Sequence, residues 1–146
     1  MCFIKSIRGI LSSEDKLISK LNNVLAMIKF DLDDISWAGY YWYDEEENYL
    51  YLGSFQGKIA CSRIDLNKGV VGKSFFTDKT IVVKDVSKFE GHIACDNSSK
   101  SEIVIPIHKD GKVIGVLDLD SYKLNRFNDE SVGFYKEIVK EIEKNL

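Results

Sequence analysis

Two cysteines and three acids carry most of the chemistry this chain could perform. Cys61 closes the run Gly53-Ser54-Phe55-Gln56-Gly57-Lys58-Ile59-Ala60-Cys61, and Cys95 sits in Gly91-His92-Ile93-Ala94-Cys95-Asp96. Both follow an Ile-Ala step, and both have glycines nearby that let the backbone approach closely. A thiol attacks only as its thiolate. The usual cysteine is a small buried hydrophobe, but these two lie in polar, glycine-bearing loops and read as a possible dithiol couple. His92 and nearby backbone N–H groups could lower the pKa of Cys95. Cys2 reads as core filler or an exposed bystander. With no C-x-x-C pair, two histidines and no tetrahedral ligand spacing, no metal is expected.

Asp118 and Asp120 flank Leu119, so an extended strand points both to one face. They follow the apolar run Val113-Ile114-Gly115-Val116-Leu117, and acids buried there need something to satisfy them. One reading is a strand fraying into solvent. The other is a face for a cationic amine, with one carboxyl kept protonated by its neighbour to serve as an acid. Glu102 opens the adjacent hairpin strand and could join them.

Five aromatics crowd one segment. By alternation Trp37, Tyr41 and Tyr43 share one face, and Tyr40 and Trp42 share the other. One face can pack the core while the other lines a pocket, where π-faces attract a methyl group on a polarised sulfur. His108 precedes a turn and is expected in solvent. A single histidine near a single cysteine is weak evidence for a protease-like pair. No glycine-rich phosphate loop and no G-x-S-x-G is found.

The elements that must position these groups follow from periodicity. Ser12 or Ser13 is expected to cap an amphipathic helix over about 13–30, with Leu17, Leu21, Val24, Leu25 and Ile28 on its apolar face. Strands at 35–43 and 49–55 form a hairpin across the acidic turn 44–48. An alternating segment at 63–66 leads to a short helix opened by Gly69-Val70-Val71-Gly72. A strand at 80–83 precedes a loop or short helix over 84–101. Strands at 102–107 and 112–120 meet at the turn Lys109-Asp110-Gly111, and Asn128-Asp129-Glu130 caps a last helix. The predicted fold class is α+β: one domain over 1–146, with 1–12 as an N-terminal extension. Its central sheet is mostly antiparallel, and the N- and C-terminal helices pack on one face.

The totals agree with an ordinary globular domain of 146 residues, 45% hydrophobic and 29% charged. A net charge of −3 without a basic run argues against nucleic acid. No stretch approaches the roughly 18 apolar residues of a membrane span, and the first residues are too interrupted by charge for a signal peptide. With an odd number of cysteines as well, a cytoplasmic location is expected.

The two Ile-Ala-Cys loops, Ser101-Glu102-Ile103-Val104, Gly115-Val116-Leu117-Asp118-Leu119-Asp120-Ser121 and the aromatic Trp37-Ala38-Gly39-Tyr40-Tyr41 together resemble the free methionine-(R)-sulfoxide reductases built on a GAF domain. The resemblance runs from about residue 13 to the end. It implies that Cys95 attacks the sulfoxide sulfur and becomes a sulfenic acid. Cys61 then closes a disulfide that thioredoxin reduces, with no bound cofactor. Glu102, Asp118 and Asp120 match the family's pocket carboxylates, which by the resemblance hold the amino group and supply a proton, Asp120 acting as a catalytic group. Trp37 and Tyr41 match the aromatics around the methyl group. Backbone N–H groups from Ile93 and Ala94 to Cys95 are assigned to the substrate's oxygens. A homodimer paired through helices is a further expectation. One departure stands out: many members carry a cysteine where this chain has Val71. The alternative is therefore a catalytically inactive GAF small-molecule-binding module or thiol redox sensor.

Overall fold

A computed structural model describes residues 2–92 and 98–146. The chain runs through α1 (Phe3–Leu11), α2 (Leu17–Asp31), β1 (Trp37–Asp44), β2 (Tyr49–Gln56), β3 (Arg63–Asp65), α3 (Gly69–Thr77), β4 (Ile81–Val83), β5 (Ser101–Lys109), β6 (Lys112–Ser121) and α4 (Asp129–Glu143). The six strands form one sheet in the order β3-β2-β1-β6-β5-β4, and each described pair is antiparallel. The α+β fold expected from the two hairpins is the one observed. At the β5–β6 turn, Asp110 and Gly111 both take positive φ, +52° and +78°, as a twist-matched two-residue turn requires. Asn128 caps α4 as read, its side-chain oxygen accepting from Ser131 N–H at 3.0 Å.

One face of the sheet is covered by α1, α2 and α4. There Ile7, Leu11, Leu25, Ile28, Ile138 and Ile142 pack with Ala38, Tyr40, Ile103, Leu117 and Leu119 into the larger core. The opposite face is covered in part by α3, whose Val70 and Val71 pack with Trp37, Tyr41, Leu50, Ile64, Val104 and Val116. Alternation along the strands therefore separates two interiors.

Two details depart from the sequence reading. Residues 1–12 are set apart there as an extension, but Phe3–Leu11 is a helix that puts Ile4, Ile7 and Leu11 in the core. The i, i+3, i+7 spacing of those residues is helical, and only the shortness of the segment hides it. Neither Ser12 nor Ser13 caps α2. Ser12 instead caps the C-terminus of α1, and Lys16 precedes α2 without a side-chain cap. Lys20 Nζ donates to the carbonyls of Leu11 and Ser13 at 3.0 and 3.1 Å, placing a cation at the negative end of α1.

Candidate active site

The pocket stands on the α3 side of the sheet, and strand register assembles its floor. Trp37 on β1 lies opposite Asp120 on β6, which lies opposite Glu102 on β5; in the next row Gly39 faces Asp118 and Asp118 faces Val104. Residues directly opposite one another share a face, so an indole and three carboxyls converge there. Their oxygens lie within 4.8 Å of one another. Gly39 is essential to the space, because a Cβ at that position would run into the Trp37 ring and stand 2.8 Å from Phe55 Cβ. The indole occupies the room that Gly39 leaves. It stacks on Phe55 at 5.5 Å and on Tyr41 at 6.2 Å between ring centroids.

Those rings also fasten the loop that bears Cys61. The Trp37 indole N–H donates to Lys58 O at 3.0 Å, and the Tyr41 hydroxyl donates to Cys61 O at 2.9 Å. Gly57 at φ +139° lets the loop turn against the indole, where a Cβ would sit 2.5 Å from Trp37 Cδ1. Cys61 is disulfide-bonded and packs at the margin of the smaller core, whereas Cys2 is free and exposed.

Burial dominates the electrostatics. Glu102 and Asp118 are each 5% exposed. Burial lifts the Glu102 carboxyl well above the usual range, and the neighbouring charge of Asp118 lifts it further. Asp118 is raised well above its usual range first by burial and then by the charge of Asp120, while a hydrogen bond with Glu102 pulls the other way. Carboxyls this close titrate as a coupled unit, and burial and mutual repulsion favour its protonated forms. Burial and the charges of Asp118, Asp120 and Glu102 also push the Tyr41 phenol upward, so it stays a neutral donor. His92 Nε2 stands 3.9 Å from a Glu102 oxygen, and burial lowers its pKa.

Trp37, Tyr41, Glu102, Asp118 and Asp120, all read from the sequence as site residues, line one cavity that encloses about 560 Å³ including its open mouth. Cys95, Ile93 and Ala94 lie outside the described residues. Sequence reasoning missed other parts of the wall, among them Ile64, the α3 start at Gly69, Val70 and Val71, and Ser99. Its one available signal was Gly69-Val70-Val71-Gly72, legible as a helix start but not as a pocket wall. His108 is elsewhere. It is 38% exposed rather than simply in solvent, its ring bridging Asp78 Oδ1 at 2.7 Å and Glu143 Oε2 at 3.0 Å.

An antiparallel six-stranded sheet with helices behind it and a ligand-sized pocket in front has known counterparts. Residues 21–145 match the GAF domain. The free methionine-R-sulfoxide reductase of Escherichia coli is 40% identical over 142 residues, 97% of this chain and 85% of that protein. Among solved structures, the free methionine-R-sulfoxide reductase of Neisseria meningitidis in complex with its substrate superposes with a TM-score of 0.93 at 37% identity, covering 97% of this chain and 84% of that one. The reduced form of fRMsr of Staphylococcus aureus gives a TM-score of 0.93 at 45% identity, covering 99% and 92%. The chain belongs to the GAF-domain family of free methionine-(R)-sulfoxide reductases. Among the described residues, no helix is long and apolar enough to cross a membrane.

Proposed function

We propose that this protein reduces free methionine (R)-sulfoxide to methionine. The observation that carries the reading is the trio of carboxyls within 4.8 Å of one another beneath two aromatic rings, with Asp118 Oδ1 buried and unpartnered. A cluster of that charge and burial is completed by a small cation with several donors, and the α-ammonium of a free amino acid supplies them. Peptide-bound methionine sulfoxide lacks that ammonium. The rings of Trp37 and Tyr41 offer π-faces to the methyl group on the polarised sulfur.

The chemistry requires a nucleophile and an acid. The Cys95 thiolate attacks the sulfoxide sulfur while a proton from the carboxyl cluster, with Asp120 and its neighbours Glu102 and Asp118 as the source, passes to the oxygen. The sulfur–oxygen bond of the substrate breaks, and the oxygen leaves on the cysteine sulfur. Methionine is released and Cys95 is a sulfenic acid, so the substrate sulfur gains the two electrons that the cysteine loses. The Cys61 thiol then displaces water from the sulfenic acid to form a disulfide, and a dithiol of the thioredoxin class reduces it. Two observations support Cys61 in that role: it is disulfide-bonded, and Cys2, the other described thiol, is free. Val71 contributes only hydrocarbon to the pocket wall, and the sequence of steps needs no third thiol.

The test is methionine formation from separated free (R)- and (S)-sulfoxides with dithiothreitol as reductant. Product from the R epimer alone, lost in Cys95→Ser, is expected. Binding of the sulfoxide without any product would replace the enzyme with the binding-module alternative.

A further inference from the structure

We infer that Ser99 is a substrate-binding residue whose hydroxyl donates to an acceptor oxygen of the bound amino acid; the inference rests on the reductase reading above. Among the described residues, three buried side-chain polar atoms have no hydrogen-bond partner: Ser36 Oγ, Ser99 Oγ and Asp118 Oδ1. Two of these, Ser99 and Asp118, line the same cavity. A buried polar atom without a partner is destabilising, so folded proteins keep few of them, and each calls for an explanation. Here the pair is complementary. A carboxylate oxygen accepts and a hydroxyl can donate, so a ligand with both an N–H donor and an oxygen acceptor would complete both.

Among the described residues, few other side-chain donors in the cavity are open to the ligand's oxygens. The Trp37 indole N–H is engaged by Lys58 O and the Tyr41 hydroxyl by Cys61 O. Burial lowers the pKa of His92, and its Nε2 faces Glu102. Lys68 is exposed at the rim. An oxygen entering beside three acids needs a neutral donor held among them, and a serine hydroxyl is one.

Ser99 is also well held. The backbone of Lys100 is pinned on both sides, its N–H donating to Ser121 O at 2.8 Å and its carbonyl accepting from Val86 N–H at 2.9 Å. Ser101 Oγ then donates to Lys123 O and accepts from Arg126 N–H. A hydroxyl preset by such anchoring does not have to be ordered when the ligand arrives.

The experiment uses the full chain with Ser99→Ala and Ser99→Thr. It measures kcat/KM for free methionine sulfoxide with dithiothreitol, the Kd of methionine by calorimetry, and the thermal midpoint. Loss of one preorganised donor is expected to lower kcat/KM about 10- to 100-fold in the alanine variant. The threonine variant, which keeps a hydroxyl, recovers most of that activity, and the thermal midpoint of the alanine variant does not fall. A structural serine would move the midpoint and leave kcat/KM alone. Methionine binding that weakens in parallel assigns the acceptor to the α-carboxylate; unchanged methionine binding assigns it to the sulfoxide oxygen. Should the alanine variant not fold, Ser99→Gly removes the same hydroxyl. Alanine-variant kcat/KM within twofold of the parent overturns the inference. A parent that makes no methionine overturns the reductase reading instead, and Ser99 is then judged on methionine affinity alone.

Discussion

The two faces of the sheet are built from the same strands and have opposite chemistries. On β6, Leu117 and Leu119 enter the helix-covered core, while Asp118 between them faces the pocket. On β1, Tyr40 is buried against α2 and donates to Leu21 O at 3.1 Å, while its neighbour Tyr41 faces the pocket and donates to Cys61 O. The helix side buries hydrocarbon, and its buried Tyr40 hydroxyl is paired. The pocket side holds three carboxyls together, leaves two polar atoms unpartnered and keeps a glycine where a side chain would close the space. Stability is concentrated on one face and stored polar strain on the other, a division that active sites commonly show.

The sharpest way to test this division is to mutate adjacent residues of β6. Asp118→Asn removes a titratable carboxyl from the buried cluster and its share of the proton supply, and methionine formation is expected to fall on the order of 10²- to 10³-fold. The same variant should be more stable, by about 1–3 kcal/mol at neutral pH. The sign follows from the raised folded-state pKa values of Glu102 and Asp118. Above the unfolded carboxyl pKa of about 4, the folded chain binds more protons than the unfolded one, so stability falls as pH rises. The gain from Asp118→Asn therefore grows as pH rises above about 4 and levels off once the folded-state pKa is passed. Leu119→Ala next door should instead lose about 2–5 kcal/mol, with turnover per folded molecule nearly unchanged. Denaturant melts at several pH values and a methionine assay check both. Equal destabilisation by the two substitutions would erase the distinction between the faces.

What the sequence showed of this arrangement was whatever depends on local period. Trp37 with Tyr41, and Asp118 with Asp120, share a face because strand side chains alternate, and no tertiary knowledge is needed to see it. Asn128 could be read as a cap because an Asn followed by the acids Asp129 and Glu130 is a local helix-start signal, and its side-chain oxygen does accept from Ser131 N–H. Val71 and Ser99 could not be read as pocket residues, because α3 and the segment just before β5 reach the cavity only through tertiary packing. The α1 helix was hidden for a related reason: nine residues make a weak isolated helix, and its apolar stripe counts only once α2 and α4 are there to receive it.

The tyrosine pair gives a smaller, cleaner contrast. Tyr40→Phe removes a buried hydrogen bond and should destabilise by about 1 kcal/mol while leaving turnover intact. Tyr41→Phe should leave the melting curve nearly in place but free the carbonyl of Cys61, and slower turnover, about 10-fold, is expected because a loosened loop presents its sulfur less often. Tyr41 is thus expected to act through the position of Cys61, a role that single-turnover kinetics separates from binding. A Tyr41→Phe variant with an unchanged rate of disulfide formation would remove the hydroxyl from that role.

The smallest effect belongs to a third region, at the far ends of α3 and α4, where His108 bridges Asp78 and Glu143. Burial opposes the imidazolium, but hydrogen bonds to Asp78 and Glu143, reinforced by their charges, outweigh it and raise the pKa. A raised folded-state pKa contributes stability that is fully present below the unfolded value of about 6.5 and is lost as pH rises through the folded value. With the ring 38% exposed, water screens the pair and its contribution stays below about 1 kcal/mol. His108→Gln keeps the backbone N–H that donates to Glu143 at 2.6 Å, so the comparison isolates the ring. The parent should melt higher than this variant at pH 6, and the gap should close by pH 9. The carboxyl cluster contributes a slope of the same sign, but it is present in both proteins and cancels in the difference. A gap that stayed constant across that range would mean the ring contributes packing rather than charge.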